Sequence, residues 1–372
     1  MIHLLRQFDP TTPPPETGGG VEQWTPRCSS SCFASTGRSL VAFLVDTLGL
    51  SSDHTCLIPA YVPEGVVQPL RMSGIRVDFY RVDHRLFADP ERLSRQVEKD
   101  PSVRLVVLIH PFGFEQPVRP IRDMLSGRGI AILEDCAQAL LSRTEDGTTL
   151  GQEGDFSLFS LNKFLPVPDG AVLQSHCRGT SVDCGQLARG PEGWRESILA
   201  YEEHLRLNHA LLTSTSPDRR LLEETGEAYE RYYSFVNREL GLSAPSDVTL
   251  DRLRRLAPGA MAEARRRNCA LLYAGLKQTT FRFVYPQWDD RTVPMAVPVR
   301  VRPEERERIA DRLFERNILL STLVDKWNFI PPGRESAFPA ESEFMASHLL
   351  VPVNEFLSSE EMEYMVATMN QI

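Results

Sequence analysis

From Ser39 to Leu173 the chain alternates short apolar runs with helix-spaced segments, a pattern that few folds accept. The runs Thr55 to Ile58, Val77 to Val82, Val103 to Ile109, Ile130 to Leu133 and Phe156 to Phe159 have the length and apolar content of buried strands. Between them, Leu40, Phe43, Leu44 and Leu48 recur at helical spacing and Gly49 supplies a stop. Pro63 to Met72, Pro90 to Glu98 and a stretch near Ile121 to Leu125 also read as helices. Strands taking turns with helices at this spacing imply an α/β domain, a mostly parallel sheet with helices on both faces. A chain of 372 residues exceeds what one compact core usually takes, so two domains are expected. Residues 1–34, of which 10–31 are rich in Pro, Gly, Ser and Thr, are expected to form an irregular arm. The large domain would cover 35–250, including a helical region at about 190–245, and a smaller α+β domain would cover 251–372. In the latter the pattern predicts a helix over Asp251 to Leu276, a strand at Val293 to Val301, a helix through Glu305 to Arg316, a segment Leu349 to Val353 and a closing helix from Ser359.

A net charge of −9 argues against a nucleic-acid or membrane-surface binder, which would carry a basic face. The short Arg265 to Arg267 run lies in a helical pattern and reads as a solvated face. No run of about 18 apolar residues exists to span a membrane, and Met1 to Asp9 is too short an apolar stretch for a signal peptide. Seven cysteines without regular spacing suggest reduced thiols and a cytoplasmic protein. Cys28 and Cys32 have no matching Cys or His pair at finger-like distance, so no metal site is expected. Tyr229, Tyr232, Tyr233 and Val236 fall on one helical face and read as core or subunit-contact residues.

Two residues carry the chemistry. Asp135, in Glu134-Asp135-Cys136-Ala137-Gln138, and Lys163, in Ser160-Leu161-Asn162-Lys163, each follow a run that reads as a buried strand. Strand ends at the carboxyl edge of a parallel sheet converge on one crevice. A carboxylate and an amine delivered there suit pyridoxal phosphate (PLP): the amine forms a Schiff base, and the carboxylate keeps the pyridine nitrogen protonated. Gln138 would lie one helical turn beyond Asp135, within reach of the ring phenolate, and Ser160 could reach the phosphate. Thr36-Gly37-Arg38-Ser39 opens the first regular helix, whose unsatisfied amides make a ready anion site.

Together these stretches resemble the DegT-type sugar aminotransferases, a branch of the fold type I PLP enzymes. The similar segments are Thr36 to Leu40, Ile58-Pro59-Ala60-Tyr61, His110-Pro111-Phe112-Gly113, Glu134 to Gln138, and Gly154-Asp155 through Ser160 to Lys163. The resemblance implies an aldimine on Lys163, Asp135 at the ring nitrogen and Gln138 near the ring oxygen. Gly37, Arg38, Ser39 and Ser160 would hold the phosphate. It also implies a homodimer, and transfer of an amino group from a small amino-acid donor to a keto or aldehyde acceptor. PLP-dependent elimination or replacement is the alternative, since the same Asp and Lys serve both outcomes. The chain also departs from the family pattern. Ser160 stands three residues before the lysine and Ser157 six, where the family places a serine about five before, so either could meet the phosphate. Leu165 to Gly170 replaces a Gly-rich turn, the ring could be covered by Tyr61 or by Pro63, and helices at 190–245 stand where a cross-subunit Asn-Tyr-Arg-like segment is usual.

Overall fold

The computed structural model describes residues 1, 20–177, 179–190, 194–214, 216–236, 241–323, 329–330 and 333–372. Its centre is a seven-stranded sheet in the order β1-β7-β6-β5-β4-β2-β3. The strands are β1 (Ser30–Ala34), β2 (Thr55–Pro59), β3 (Arg76–Tyr80), β4 (Val103–Ile109), β5 (Ala131–Asp135), β6 (Phe156–Ser160) and β7 (Ala171–Ser175). β2 to β6 pair in parallel, while β7 runs antiparallel to both β6 and β1. The α/β fold with a mostly parallel sheet is therefore borne out. β2 is buried at every position and β4 at all but Arg104, which is why both read as continuous apolar runs. Each fully buried Val, Leu or Ile on such a strand stabilises the fold by roughly 1.5–3 kcal/mol.

The connecting helices α1 (Gly37–Thr47), α2 (Glu64–Met72), α3 (Pro90–Lys99) and α4 (Val118–Leu125) begin where their sequences provide starts. The Thr36 hydroxyl accepts from the Ser39 amide at 3.2 Å. The Asp89 carboxylate accepts from the Arg92 amide at 3.0 Å, with Pro90 in the first turn. Beyond β7, α5 (Trp194–Thr213) and α6 (Arg219–Val236) pack on each other around Trp194, Tyr201, Leu205, Tyr232 and Val236.

Past α7 (Asp247–Arg255), α8 (Pro258–Gly275) leads into a small three-stranded antiparallel sheet, β10-β9-β8. Its strands are β8 (Arg282–Phe283), β9 (Val297–Arg300) and β10 (His348–Val351). Helices α8, α9 (Arg306–Phe314) and α11 (Ser359–Met369) cover it around Leu272, Val299, Ile309 and Met365. α10 (Pro339–Ser347) runs directly into β10.

The structure differs from the sequence reading at several places. The expected arm over 1–34 is not irregular at its end, because Ser30–Ala34 forms β1 against β7; residues 2–19 lie outside the described residues. The expected single helix over 251–276 is two helices. Leu256 and Ala257 are extended before Pro258, as a residue preceding proline prefers. Only Val297–Arg300 of the expected strand at 293–301 is strand. Val293 and Met295 give their amides to the Ser142 hydroxyl and the Phe112 carbonyl, tying the segment before β9 to the loops that follow β4 and β5. Cys32 and Cys184 are joined by a disulfide across 152 residues of sequence, which corrects the expectation of reduced thiols throughout. Spacing along the chain gave no hint of it, because β1 is an edge strand beside which a distant loop returns.

Candidate active site

The carboxyl ends of the parallel strands meet a cavity of about 330 Å³, within the roughly 300–1,000 Å³ usual for small-molecule sites. β5 ends on Asp135. β6 ends on Ser160, and the single 3-10 turn Leu161–Lys163 swings Lys163 over the same edge. Because Asp135 pairs with Leu158 in register, Lys163 follows a few residues beyond that pairing point, in the turn that closes the neighbouring strand. Asp135, Lys163, Gly37, Arg38 and Ser160 all line this cavity, so the structure brings together five of the seven residues singled out above.

Asp135 is 2 % exposed, and one of its oxygens accepts from the Ala137 amide at 2.9 Å. Burial pushes its carboxyl above the ordinary value, while Lys163 and the Ala137 amide oppose that rise. Glu134, on the opposite face of β5, serves the scaffold. It accepts from His110 Nε2 at 2.8 Å and from the amides of Gly151, Glu153 and Gly154. Burial would raise the Glu134 carboxyl, but His110 and those amides together hold it below its usual range. His110 Nδ1 accepts from the Gln116 amide at 3.0 Å, which fixes the proton on Nε2.

Two expected residues stand behind the wall and not on it. Ser39 is spent on the start of α1: its amide is capped by Thr36 and its hydroxyl donates to the Thr36 carbonyl at 2.9 Å. Gln138 is buried, and its Oε1 accepts from the Phe112 amide at 2.7 Å. That bond holds Phe112 at φ 55°, beside Gly113 at φ 101°. Gln138 Nε2 closes no hydrogen bond of ordinary geometry among the described residues, although the Tyr61 hydroxyl lies near enough to feel it. Of the two candidate serines, Ser160 faces the cavity and donates to Asn162 Oδ1 at 2.9 Å. Ser157 is buried against His176 Nε2 at 2.9 Å. Pro63 lines the cavity, whereas Tyr61 packs edge-on against Phe344 with ring centroids 5.4 Å apart.

Sequence reasoning missed the far wall. Tyr229, Glu230, Tyr232, Tyr233 and Val236 of α6 line the cavity, so the expected core face holds, with Tyr232 and Val236 in the α5–α6 core, and also forms a wall of the site. The Tyr232 hydroxyl donates to the Pro168 carbonyl at 2.5 Å and accepts from Asn162 Nδ2 at 2.9 Å. It thereby spans both sides of the turn that carries Lys163. The tyrosine spacing was visible; its direction was not, since a tyrosine face suits a core and a wet wall equally. The Leu165 to Gly170 segment earns its place here as well. Asp169 accepts from the Ser246 amide and hydroxyl, both at 2.8 Å, and from the Thr249 hydroxyl, anchoring the start of α7 to the segment that follows Lys163.

The residues present fit PLP. A pyridine ring carrying an aldehyde and a phosphate needs an amine, a buried carboxylate and an anion cradle in one pocket. This cavity provides Lys163, Asp135, and the start of α1 with Arg38 and Ser160.

Residues 30–170 match the model of the DegT/DnrJ/EryC1/StrS aminotransferase family. The chain is 23% identical over 145 residues to a GDP-perosamine synthase of Vibrio cholerae, covering 38% of this chain and 39% of that protein. It therefore spans about two fifths of that relative's length. It is 24% identical over 351 residues to a dTDP-4-dehydro-2,3,6-trideoxy-D-glucose 4-aminotransferase of Saccharopolyspora spinosa, covering 88% of this chain and 80% of that protein. The fold is similar to that of the aminotransferase TlmJ from Streptoalloteichus hindustanus, at TM-score 0.65 and 17% identity, over 92% of this chain and 85% of that one. The resemblance drawn from the motifs is thus borne out over residues 30–170, the stretch that matches the DegT/DnrJ/EryC1/StrS aminotransferase family.

Proposed function

We propose that this protein is a PLP-dependent aminotransferase that moves an amino group from an amino-acid donor to a keto or aldehyde acceptor. The observation that carries this reading is that Asp135 and Lys163 line one cavity with the start of α1. The family match over residues 30–170 and a relative named as an aminotransferase support it. When bound, PLP supplies an electron sink that stabilises negative charge on a substrate carbon. Asp135 would keep a proton on the ring nitrogen, and its desolvated position beside Lys163 makes that contact strong. The Gly37 and Arg38 amides, the Arg38 guanidinium and the Ser160 hydroxyl would bind the phosphate. The Lys163 Nζ would first hold the cofactor covalently and then, once released, move the proton between the amino-bearing carbon and the cofactor. Tyr229, Tyr232 and Tyr233 would shield that proton transfer from water. A homodimer is proposed with this reading, and a sedimentation measurement reads it directly.

The test begins with purified protein loaded with PLP and reduced with borohydride. The covalent adduct is expected on Lys163, and on no peptide in Lys163→Ala. With isotopically labelled donor nitrogen, label is expected in the acceptor product, and Lys163→Ala is expected to lose at least about a hundredfold in that transfer. An adduct on another lysine would overturn the assignment. Loss of a substituent from the substrate without nitrogen transfer would point to elimination or replacement instead.

A further inference from the structure

Arg38 is an unusual group to find at the start of a helix that faces an anion site, because it is 5 % exposed and firmly held. Its guanidinium donates to Gln68 Oε1 on α2 and to the Tyr233 hydroxyl on α6, the latter at 2.7 Å. Its central carbon also lies 5.3 Å from the centroid of the Tyr233 ring. The backbone of Gly65 passes close enough that a Cβ there would stand 3.5 Å from Arg38 Nε. Three elements, α1, α2 and α6, therefore fix one cation in the lining of the cavity. A guanidinium free to rotate would lose conformational entropy on gripping an anion; one already held loses little.

Tyr233 contributes both contacts from α6. Its ring stacks on that of Tyr229 at 5.6 Å and 15°, which fixes the orientation of its hydroxyl. We propose that Tyr233 is a positioning residue for the cofactor phosphate: it aims and pre-orders Arg38, so that the α6 wall and the phosphate cradle act as one unit. This rests on the reading of the cavity as a PLP site. The consequence is selective. The phosphate ester of the cofactor should depend on Tyr233, and the pyridine ring, held by Asp135 and Lys163, should not.

The experiment compares binding of PLP and of pyridoxal, which lacks the phosphate, to the full-length apo-protein by absorbance titration. In Tyr233→Phe, which keeps the ring and removes the hydroxyl, PLP affinity is expected to fall about fivefold to tenfold. Pyridoxal affinity is expected to stay within about twofold. In Arg38→Gln the preference for PLP over pyridoxal should shrink further, and adding Tyr233→Phe to it should change nothing more, since the group being positioned is gone. Equal losses for both ligands, or an unchanged PLP affinity in Tyr233→Phe, would overturn the proposal while leaving the PLP site intact. Failure of the unaltered protein to bind either ligand would instead overturn the cofactor reading, and this inference with it.

Discussion

His348 provides a quantitative test of how the three-stranded sheet is fastened to the segment that follows β2. It opens β10 fully buried, with Nδ1 donating to the Phe344 carbonyl at 2.8 Å and Nε2 accepting from the Leu323 amide at 2.7 Å. Both ring nitrogens are thus committed to the neutral form. Burial, with Arg306 adding to it, lowers its pKa from 6.5 to about 4, although the bond to Phe344 works the other way. Its ring stacks on Phe344 at 4.5 Å and 11°, and Phe344 in turn packs against Tyr61. A histidine with a depressed native pKa stabilises the fold fully above 6.5, and that contribution drains away as pH falls towards 4. Over that window the unfolded chain takes up a proton that the native protein refuses. The gap corresponds to about 3 kcal/mol at most. Replacing it by glutamine removes the titration. His348→Gln is expected to be less stable at pH 7 by about 1–3 kcal/mol, through imperfect pairing of buried groups. Its denaturation midpoint should nevertheless fall less steeply between pH 6.5 and 4, by about one proton's worth of slope. Carboxylates that titrate in the same range cancel in the comparison. Parallel pH profiles for the two proteins would refute the argument.

Three further outcomes follow from particular contacts. Gly113→Ala would place a Cβ 2.7 Å from the Val293 carbonyl oxygen at φ 101°, so a loss of at least about 2 kcal/mol is expected in a denaturant titration; unchanged stability would contradict it. Unfolded but unreduced protein should titrate five free thiols, and opening the Cys32–Cys184 bond, which closes a very long loop, should cost up to about 5 kcal/mol of stability; seven reactive thiols before reduction would deny the bond. Asp135→Asn should lower nitrogen transfer by about a hundredfold or more while keeping the borohydride adduct on Lys163; full activity would remove Asp135 from the chemistry.

Much of the seven-stranded sheet could be read because one physical signal repeats. Strands buried on both faces must be apolar at nearly every position, so β4 stands out as Val103 to Ile109 with no further information. Lys163 and Asp135 were legible for the same reason, being polar groups at the ends of such runs. Ser39 and Gln138 were harder. Both lie in the right segments, but a hydroxyl or carboxamide can serve the backbone as readily as a ligand. Which role it takes depends on neighbours such as Thr36 and Phe112 that pattern alone does not orient. The disulfide and the break at Pro258 show two different limits. The first is a long-range contact invisible to spacing, and the second a local rule that helical periodicity overrode in the reading.

The departures from the family pattern are not independent of one another. Once Leu165 to Gly170 takes the place of a Gly-rich turn, its Pro168 carbonyl needs a partner and its Asp169 carboxylate needs donors. The Tyr232 hydroxyl supplies the first and the start of α7 the second. Tyr232 reaches that carbonyl because α5 and α6 pack around it at the cavity edge, and the same packing brings Tyr229 and Tyr233 to the wall. Asn162, one residue before Lys163, closes the circuit through its bond to Tyr232. The turn and the helical pair therefore form one structural solution. A change that moves α6 must also move the backbone on either side of Lys163, so the α6 wall of the cavity and the placement of the Lys163 amine are mechanically coupled in this chain.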